Sequence, residues 1–362
     1  MEKSIIYIFS IFSSVIAKDI EMLSQKYTLR LQKFEWQKKY LVPIYFFRQL
    51  LFLLKYLPSS KVIFIKFGGY WSFLPSLFGK VYHKPVYILL GGADCVSYPS
   101  INYGHLRKPL LKIFIKMSYQ LCTKLLPVDQ SLVQYTDTYY QECRNRFQGI
   151  KNFFPALTTD FQIIHNGFDL QKYPEKNIPK IKNSFVTLAM VGTMSAFYRK
   201  GIDKVVLLAE AFPECSFSVI GMSRNIFSQL KNIPDNLKIH EHLPFAEFIG
   251  HLHASEFVLQ LSIIEGFPNA LCEAMLCRCI PVGSAVGAIP LIIDGCGLLI
   301  YHSNIDYIRL ELNNIILLPE NQRRQLATES RNRIIENFSL SKREKTLISL
   351  IESNPLPAPT NF

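Results

Sequence analysis

The chain has 362 residues, 49% of them hydrophobic, which is enough apolar surface for two ordinary cores and excludes an intrinsically disordered protein. Its net charge of +12 sits almost wholly in the first half: residues 1–170 hold 21 Lys and Arg against 10 Asp and Glu, and the remainder holds 19 against 18. No nucleic-acid motif accompanies that basic half, so nucleic acid is set aside and an anionic membrane surface is the favoured partner.

The eight cysteines are scattered with no Cys-x-x-Cys pair, the usage of reduced thiols in a cytoplasmic protein. Residues 4–9 read as a strand. With Val15 and Ala17 that opening imitates a secretory leader, but Glu2 stands beside Lys3, the run is too short to span a bilayer, and cleavage would delete the first strand. Ser13 and Ser14 begin a turn into a helix over 16–25, and a second strand follows over 27–33. Residues 42–57 form a strongly apolar helix, read as a core helix in preference to one dipping into a membrane surface.

Strands over 61–66 and 85–90 are each followed by a glycine pair, Gly68-Gly69 and Gly91-Gly92; in doubly wound sheets, ligands gather at such strand ends. A basic amphipathic helix over 105–124, a strand over 125–128 and a helix from about Ser131 complete this half. The Asn166-Gly167 turn then leads through polar residues 174–184 to a second unit.

That unit opens with a strand over 185–192, then a loop carrying Arg199, Lys200 and Gly201, and a helix over 202–212. Paired cations between strand and helix suit a diphosphate. Strands follow over 215–221, 236–242, 257–261, 280–283 and 298–300, and helices over 304–316 and 319–351 close the chain. His240-x-His242 and His251-x-His253 lack the carboxylates or cysteines of a metal set, so no metal is expected.

The most informative window is Glu265-Gly266-Phe267-Pro268-Asn269-Ala270-Leu271 through Glu273-Ala274-Met275. Gly266 permits a sharp exit from a buried strand, Pro268 fits a first helical turn, and the free N–H groups of the helix start favour a phosphate or sugar hydroxyl. This window resembles the two-glutamate signature of retaining GT-B glycosyltransferases of family 4, the glycosyl transferases group 1. The Phe161-to-Asp169 segment resembles that family's strand and Asn-Gly turn, with His165 in place of a proline.

The resemblance implies an α/β fold of GT-B architecture, with two Rossmann-like parallel-sheet domains facing across a cleft: an acceptor-binding domain over 1–170, a donor-binding domain over 171–345, and the helix end and tail over 346–362. In GT-B proteins the last helix crosses back to the first domain. It implies Glu265 at the donor sugar and Glu273 at the ribose, with Lys200 and Arg199 on the diphosphate. Thr193 stands where the family usually has an arginine, and Arg199, adjacent to Lys200, is the candidate substitute, with a surface charge the competing reading. Gly192, Thr193, Gly221, Leu243, Pro244, Gly266, Phe267, Asn269, Ala270 and Leu271 complete the expected donor site. Ser14, Gly91, Gly92 and Asp94 are the acceptor-side candidates, with Asp94 as a turn cap the competing reading. Ser13 and Ser14 replace the glycine pair usual at that first turn.

The implied activity is retaining transfer of a sugar from a nucleotide-diphosphate sugar, a co-substrate with no separate cofactor, to a hydroxyl of a glycan or lipid-linked acceptor. The setting expected is bacterial surface polysaccharide assembly, lipopolysaccharide or capsule, in the cytoplasm or peripherally on the inner face of the plasma membrane. A nucleotide-sugar epimerase on the same scaffold, a non-catalytic nucleotide-sugar-binding partner and a secreted binding protein are the alternatives.

Overall fold

The computed structural model describes residues 4–33, 39–140, 146–176 and 178–353. A first sheet is built from β1 (Ser4–Phe9), β2 (Thr28–Lys33), β3 (Ser60–Lys66), β4 (Val86–Leu90) and β5 (Lys124–Pro127), with α1 (Ser14–Ser24), α2 (Val42–Tyr56), α3 (Tyr70–Val81) and α4 (Pro109–Leu121) between strands. All five strands are parallel, in the order β2-β1-β3-β4-β5. A short antiparallel pair, β6 (Tyr135–Thr136) and β7 (Phe147–Gln148), and the single turn α5 (Ile150–Phe153) follow.

The second sheet comprises β8 (Ile181–Val191), β9 (Ser216–Met222), β10 (Leu237–His240), β11 (Ser255–Gln260), β12 (Ile280–Ser284) and β13 (Leu298–Ile300). It is also parallel throughout, in the order β10-β9-β8-β11-β12-β13. Its helices are α6 (Met194–Arg199), α7 (Ile202–Ala211), α8 (Arg224–Phe227), α9 (Phe245–Ala254), α10 (Asn269–Leu276), α11 (Ile289–Ile293), α12 (Ile305–Ile316), α13 (Glu320–Asn337) and α14 (Leu340–Glu352).

Continuous apolar strands such as Val86–Leu90 are what a parallel sheet covered on both faces requires. Alternate residues of β1 divide accordingly: Ile6 and Ile8 pack with Leu53 of α2 and Ile115 of α4, while Ile5 and Tyr7 pack with Ile16 of α1 and Leu347 of α14. The opening residues that imitate a leader are thus a fully buried strand between β2 and β3. Seven described cysteines are buried and unpaired.

Several expectations change. No helix forms at Ser131, because the Asp129 carboxylate accepts from the Ser131 N–H at 2.8 Å and closes a short 3-10 turn instead. The expected helix over 319–351 breaks between α13 and α14, where Phe168 enters as a bridge: its N–H donates to the Phe338 carbonyl and its carbonyl accepts from the Leu340 N–H, both at 2.9 Å. The helix expected from 105 starts at Pro109, whose fixed φ suits a first turn, behind a 3-10 turn at His105–Arg107. Helices α3, α6 and α9 were not anticipated. α3 has Gly69 as its N-cap and contains Pro75 and Gly79, which obscure its pattern.

The last helix returns to the first sheet, and a buried ion pair fixes it there. Arg343 of α14 donates to both carboxylate oxygens of Asp19 on α1, at 2.7 and 2.8 Å, and to the His165 carbonyl at 3.0 Å; Tyr7 Oη donates to the same carboxylate at 2.9 Å. Burial alone would raise the Asp19 pKa, but the guanidinium outweighs it and holds the carboxyl below its ordinary range. Lys66 lies in the same interior, its ammonium pulled down to about 8 by burial and by repulsion from Arg343. Replacing Asp19 by Ala leaves Arg343 buried without its counter-charge. Thermal or urea unfolding should show a loss of about 3–5 kcal/mol.

Candidate active site between two facing sheets

Glu265 lies in the loop after β11, and its neighbours converge on one oxygen. Oε1 accepts from Lys200 Nζ at 2.5 Å, Ser262 Oγ at 2.8 Å and Gln260 Nε2 at 3.2 Å. Among the described residues, Oε2 receives no hydrogen bond. The side chains of Lys200 and Glu265 are 17% and 11% exposed. Burial pushes the Glu265 carboxyl up, yet the charges of Lys200 and Arg199 outweigh it and leave the pKa below 4.5.

Local backbone explains the encounter. Thr193 Oγ1 caps α6 by accepting from the Ala196 N–H at 3.1 Å, so the residue standing where an arginine was expected serves as a helix cap. α6 delivers Arg199 and Lys200 at its carboxyl end. Gly201, at φ +69°, turns the chain where a Cβ would strike the Leu261 carbonyl, and the Arg199 carbonyl accepts from Ile263 N at 2.8 Å. The loop of the two cations and the loop of the glutamate are thus joined through their backbones.

The two sheets meet here. A Cβ on Gly266 would fall on the Gly91 carbonyl and 3.2 Å from the Cα of Gly92, so the turn after β4 touches the glutamate loop directly. The Arg199 guanidinium stacks 4.6 Å from the ring centre of Tyr103, Ser195 Oγ donates to the Ile101 carbonyl at 2.6 Å, and Asn166 Nδ2 donates to Asn269 Oδ1 at 2.9 Å. Tyr103 is pushed up to about 12 by burial, with Glu265 adding to the rise and Arg199 opposing it.

Glu273, on α10, faces the first domain: Tyr173 hydrogen-bonds it, and Lys18 of α1 is its nearby positive charge. Burial raises the Glu273 pKa, and those two neighbours oppose the rise. Lys18 lies 4.8 Å from the Phe168 ring centre, and its own pKa is lowered by burial.

Three expected contacts take a different form. Asp94 is fully buried, and its carboxylate accepts from the N–H groups of Gly68, Gly91 and Gly92 at 2.9–3.3 Å and from Tyr119 Oη at 3.2 Å. It braces both glycine turns, the turn-cap reading of this residue. The Phe267 ring packs among His165, Phe168 and Phe338, and the Leu271 side chain is in the core. Of the remaining positions, Gly192 has open space where a Cβ would stand, Gly221 turns at φ +106°, Leu243 and Pro244 precede α9, Ala270 follows Asn269 at the start of α10, and Ser14 is the exposed first residue of α1.

A cavity of about 760 Å³ opens in the first domain beside Gly91, lined by Phe12, Lys33, Phe67, Trp71, His105 and Lys108 among others. Phe67 holds φ +65°, a conformation costly for an aromatic residue, with Trp71 Nε1 donating to its carbonyl at 3.1 Å. Tyr103, His105, Lys18 and Tyr173 were not foreseen. Their only sequence signal was proximity to a glycine turn or a helix start. Among the described residues, no group of three or more metal-ligating side chains could hold an ion.

Residues 174–337, which include Lys200, Glu265 and Glu273, match the family model described as Glycosyl transferases group 1. No curated protein matches the sequence. Similar solved structures include sucrose-phosphate synthase from Thermosynechococcus elongatus, at TM-score 0.75 and 12% identity over 97% of this chain and 99% of that one. HepE of Anabaena in complex with UDP is similar at TM-score 0.72 and 12% identity over 97% and 100%. A glycosyltransferase from Rickettsia africae follows at TM-score 0.65 and 12% identity over 97% and 98%. The fold is therefore GT-B, two Rossmann-like domains around a cleft. With the group 1 match across the second domain, it supports one enzyme class, a glycosyltransferase.

Because the Glu265 pKa is depressed on folding, its stabilising contribution is complete above pH 4.5 and is lost as pH falls through the folded value. Unfolding followed against pH should show Glu265→Gln less stable than the parent by about 3 kcal/mol near neutrality, with the gap closing below pH 4.5.

Proposed function

We propose that the protein is a retaining glycosyltransferase of family 4 that moves a sugar from a nucleotide-diphosphate donor to a hydroxyl of a glycan or lipid-linked acceptor in bacterial surface polysaccharide assembly. The observation that carries this reading is the buried Lys200–Glu265 pair at 2.5 Å, placed where the second domain's cations and the start of α10 meet the first domain's glycine turn.

In the reaction, the bond between the anomeric carbon and the diphosphate oxygen breaks, and the acceptor oxygen bonds the same face of that carbon. The acceptor proton leaves on the departing diphosphate. Lys200 and Arg199 stabilise the charge that grows on the leaving group, and the N–H groups at the start of α10 add to them. Glu265 is held through Oε1 and presents Oε2 to the sugar. Glu273 takes the ribose hydroxyls, exchanging its contacts with Tyr173 and Lys18 for them.

The cavity beside Gly91 receives the acceptor, with Asp94 fixing its glycine wall. A solved relative in fold, HepE, is described with UDP and with UDP-glucose, which makes UDP-sugars the first donors to examine. The basic first half suits a peripheral position on an anionic membrane, and no described helix is long and apolar enough to cross one.

Release of nucleoside diphosphate from UDP-, GDP- and ADP-sugars by the purified protein tests the reading. One donor should be turned over, with Lys200→Ala and Glu265→Gln each slowing it about 10²-fold or more. Turnover of no donor, or equal rates in both variants, would contradict it.

A further inference from the structure

We propose that α2 and α4 form a docking face for an anionic lipid bilayer, and that the first-domain cavity opens beside that face so that the acceptor is taken from the membrane surface. The acceptor half of this statement rests on the glycosyl-transfer reading; the docking half stands without it.

The two helices show their apolar residues outward as well as inward. On α2, Ile44, Phe47, Leu51 and Leu54 are exposed at a spacing that puts them on one stripe, and on α4 Leu110, Ile113 and Met117 do the same. Phe47 is 60% and Ile113 54% exposed, and α3 lies between the two helices and joins them; exposed apolar residues grouped in this way mark an interaction surface, whereas singly scattered ones do not. Phe114 joins the helices internally, its ring centre 5.9 Å from Phe46, 5.2 Å from Tyr70 and 5.5 Å from Phe73.

Charge selects the occupant. Residues 36–128 hold 13 Lys and Arg, of which Lys66 is buried, against a single acid, Asp94, which is also buried. α2 and α4 themselves carry no Asp or Glu, and Lys55, Lys108 and Lys116 are exposed on or beside them. A second copy would bring like charge against like charge. An anionic bilayer complements the cations and accepts the apolar rows at once.

Position ties the face to the site. The amino ends of α2 and α4 lie at the carboxyl edge of the first sheet, where the cavity is, because a crossover helix runs against its strands. Leu111 of α4, Lys108 just before it and Tyr70 of α3, whose ring packs on Phe114 of α4, line the cavity wall, and the exposed Ile11 and Phe12 form another part of its rim. Lys33, His105 and Lys108 in that wall suit an acceptor with an anionic head group.

Co-sedimentation with vesicles tests the docking. Probes are phosphatidylcholine vesicles and vesicles in which part of it is replaced by phosphatidylglycerol, at low and high salt. Binding should require phosphatidylglycerol and weaken with salt, and a Phe47→Asp, Ile113→Asp double variant should lose about tenfold in affinity while keeping the parent's unfolding temperature. Equal binding by parent and variant, absence of binding, or a parent dimer that the variant dissolves would overturn the proposal. Nucleoside diphosphate release measured without vesicles should be unchanged in the variant, so loss of donor turnover in the parent reports on the transfer reading alone.

Discussion

The ammonium of Lys200 and the carboxylate of Glu265 meet with little water around them, and removing either partner of such a pair costs about 3–5 kcal/mol, while an apolar pair of equal size would hold the fold as well. Stability therefore does not explain their presence; a fixed arrangement of charge does. The surroundings serve that arrangement. Gln260 and Ser262 bind the same oxygen as Lys200, Ser284 Oγ holds the Ser262 carbonyl at 2.6 Å, and Gly201 lets α6 end where the lysine can reach. Because all three donors use Oε1, the carboxylate is oriented through one committed oxygen.

The same few residues decide how the domains face one another. Arg199 lies beside Glu265 on one side and on the Tyr103 ring on the other, and Gly266 touches Gly91 with no side chain between. Farther back, the Asn166–Asn269 bond, the aromatic group of His165, Phe168, Phe267 and Phe338, and the Asp19–Arg343 pair form the joint from which both domains extend. Contacts at the site are single hydrogen bonds and one cation over a ring, worth about 1 kcal/mol each, whereas the joint is buried and charged.

Much of this was legible in the chain. Parallel strands covered on both faces leave unbroken apolar runs, so β1, β3, β4, β8 and β11 could be read directly, and the window from Glu265 to Met275 announced a strand, a loop and a helix start. What was hidden depended on partners distant in sequence. α13 and α14 read as one helix because only Phe168, far upstream, interrupts them. Asp94 resembled a ligand-facing carboxylate until its backbone donors from two separate turns were visible. Thr193 looked like a lost arginine, although its hydroxyl caps a helix whose last residues supply the cations. Tyr103, in an irregular segment, had no periodic signal at all.

The most direct test of the central claim, that Lys200, fixed in place by Glu265, addresses the diphosphate of a donor, is calorimetric binding of the nucleoside diphosphate selected by the donor panel and of its parent nucleoside to the intact protein and to Lys200→Met. The account predicts about tenfold or greater loss for the diphosphate and none for the nucleoside. Equal weakening of both ligands, or of neither, would contradict it and leave the buried pair without a place in the reaction.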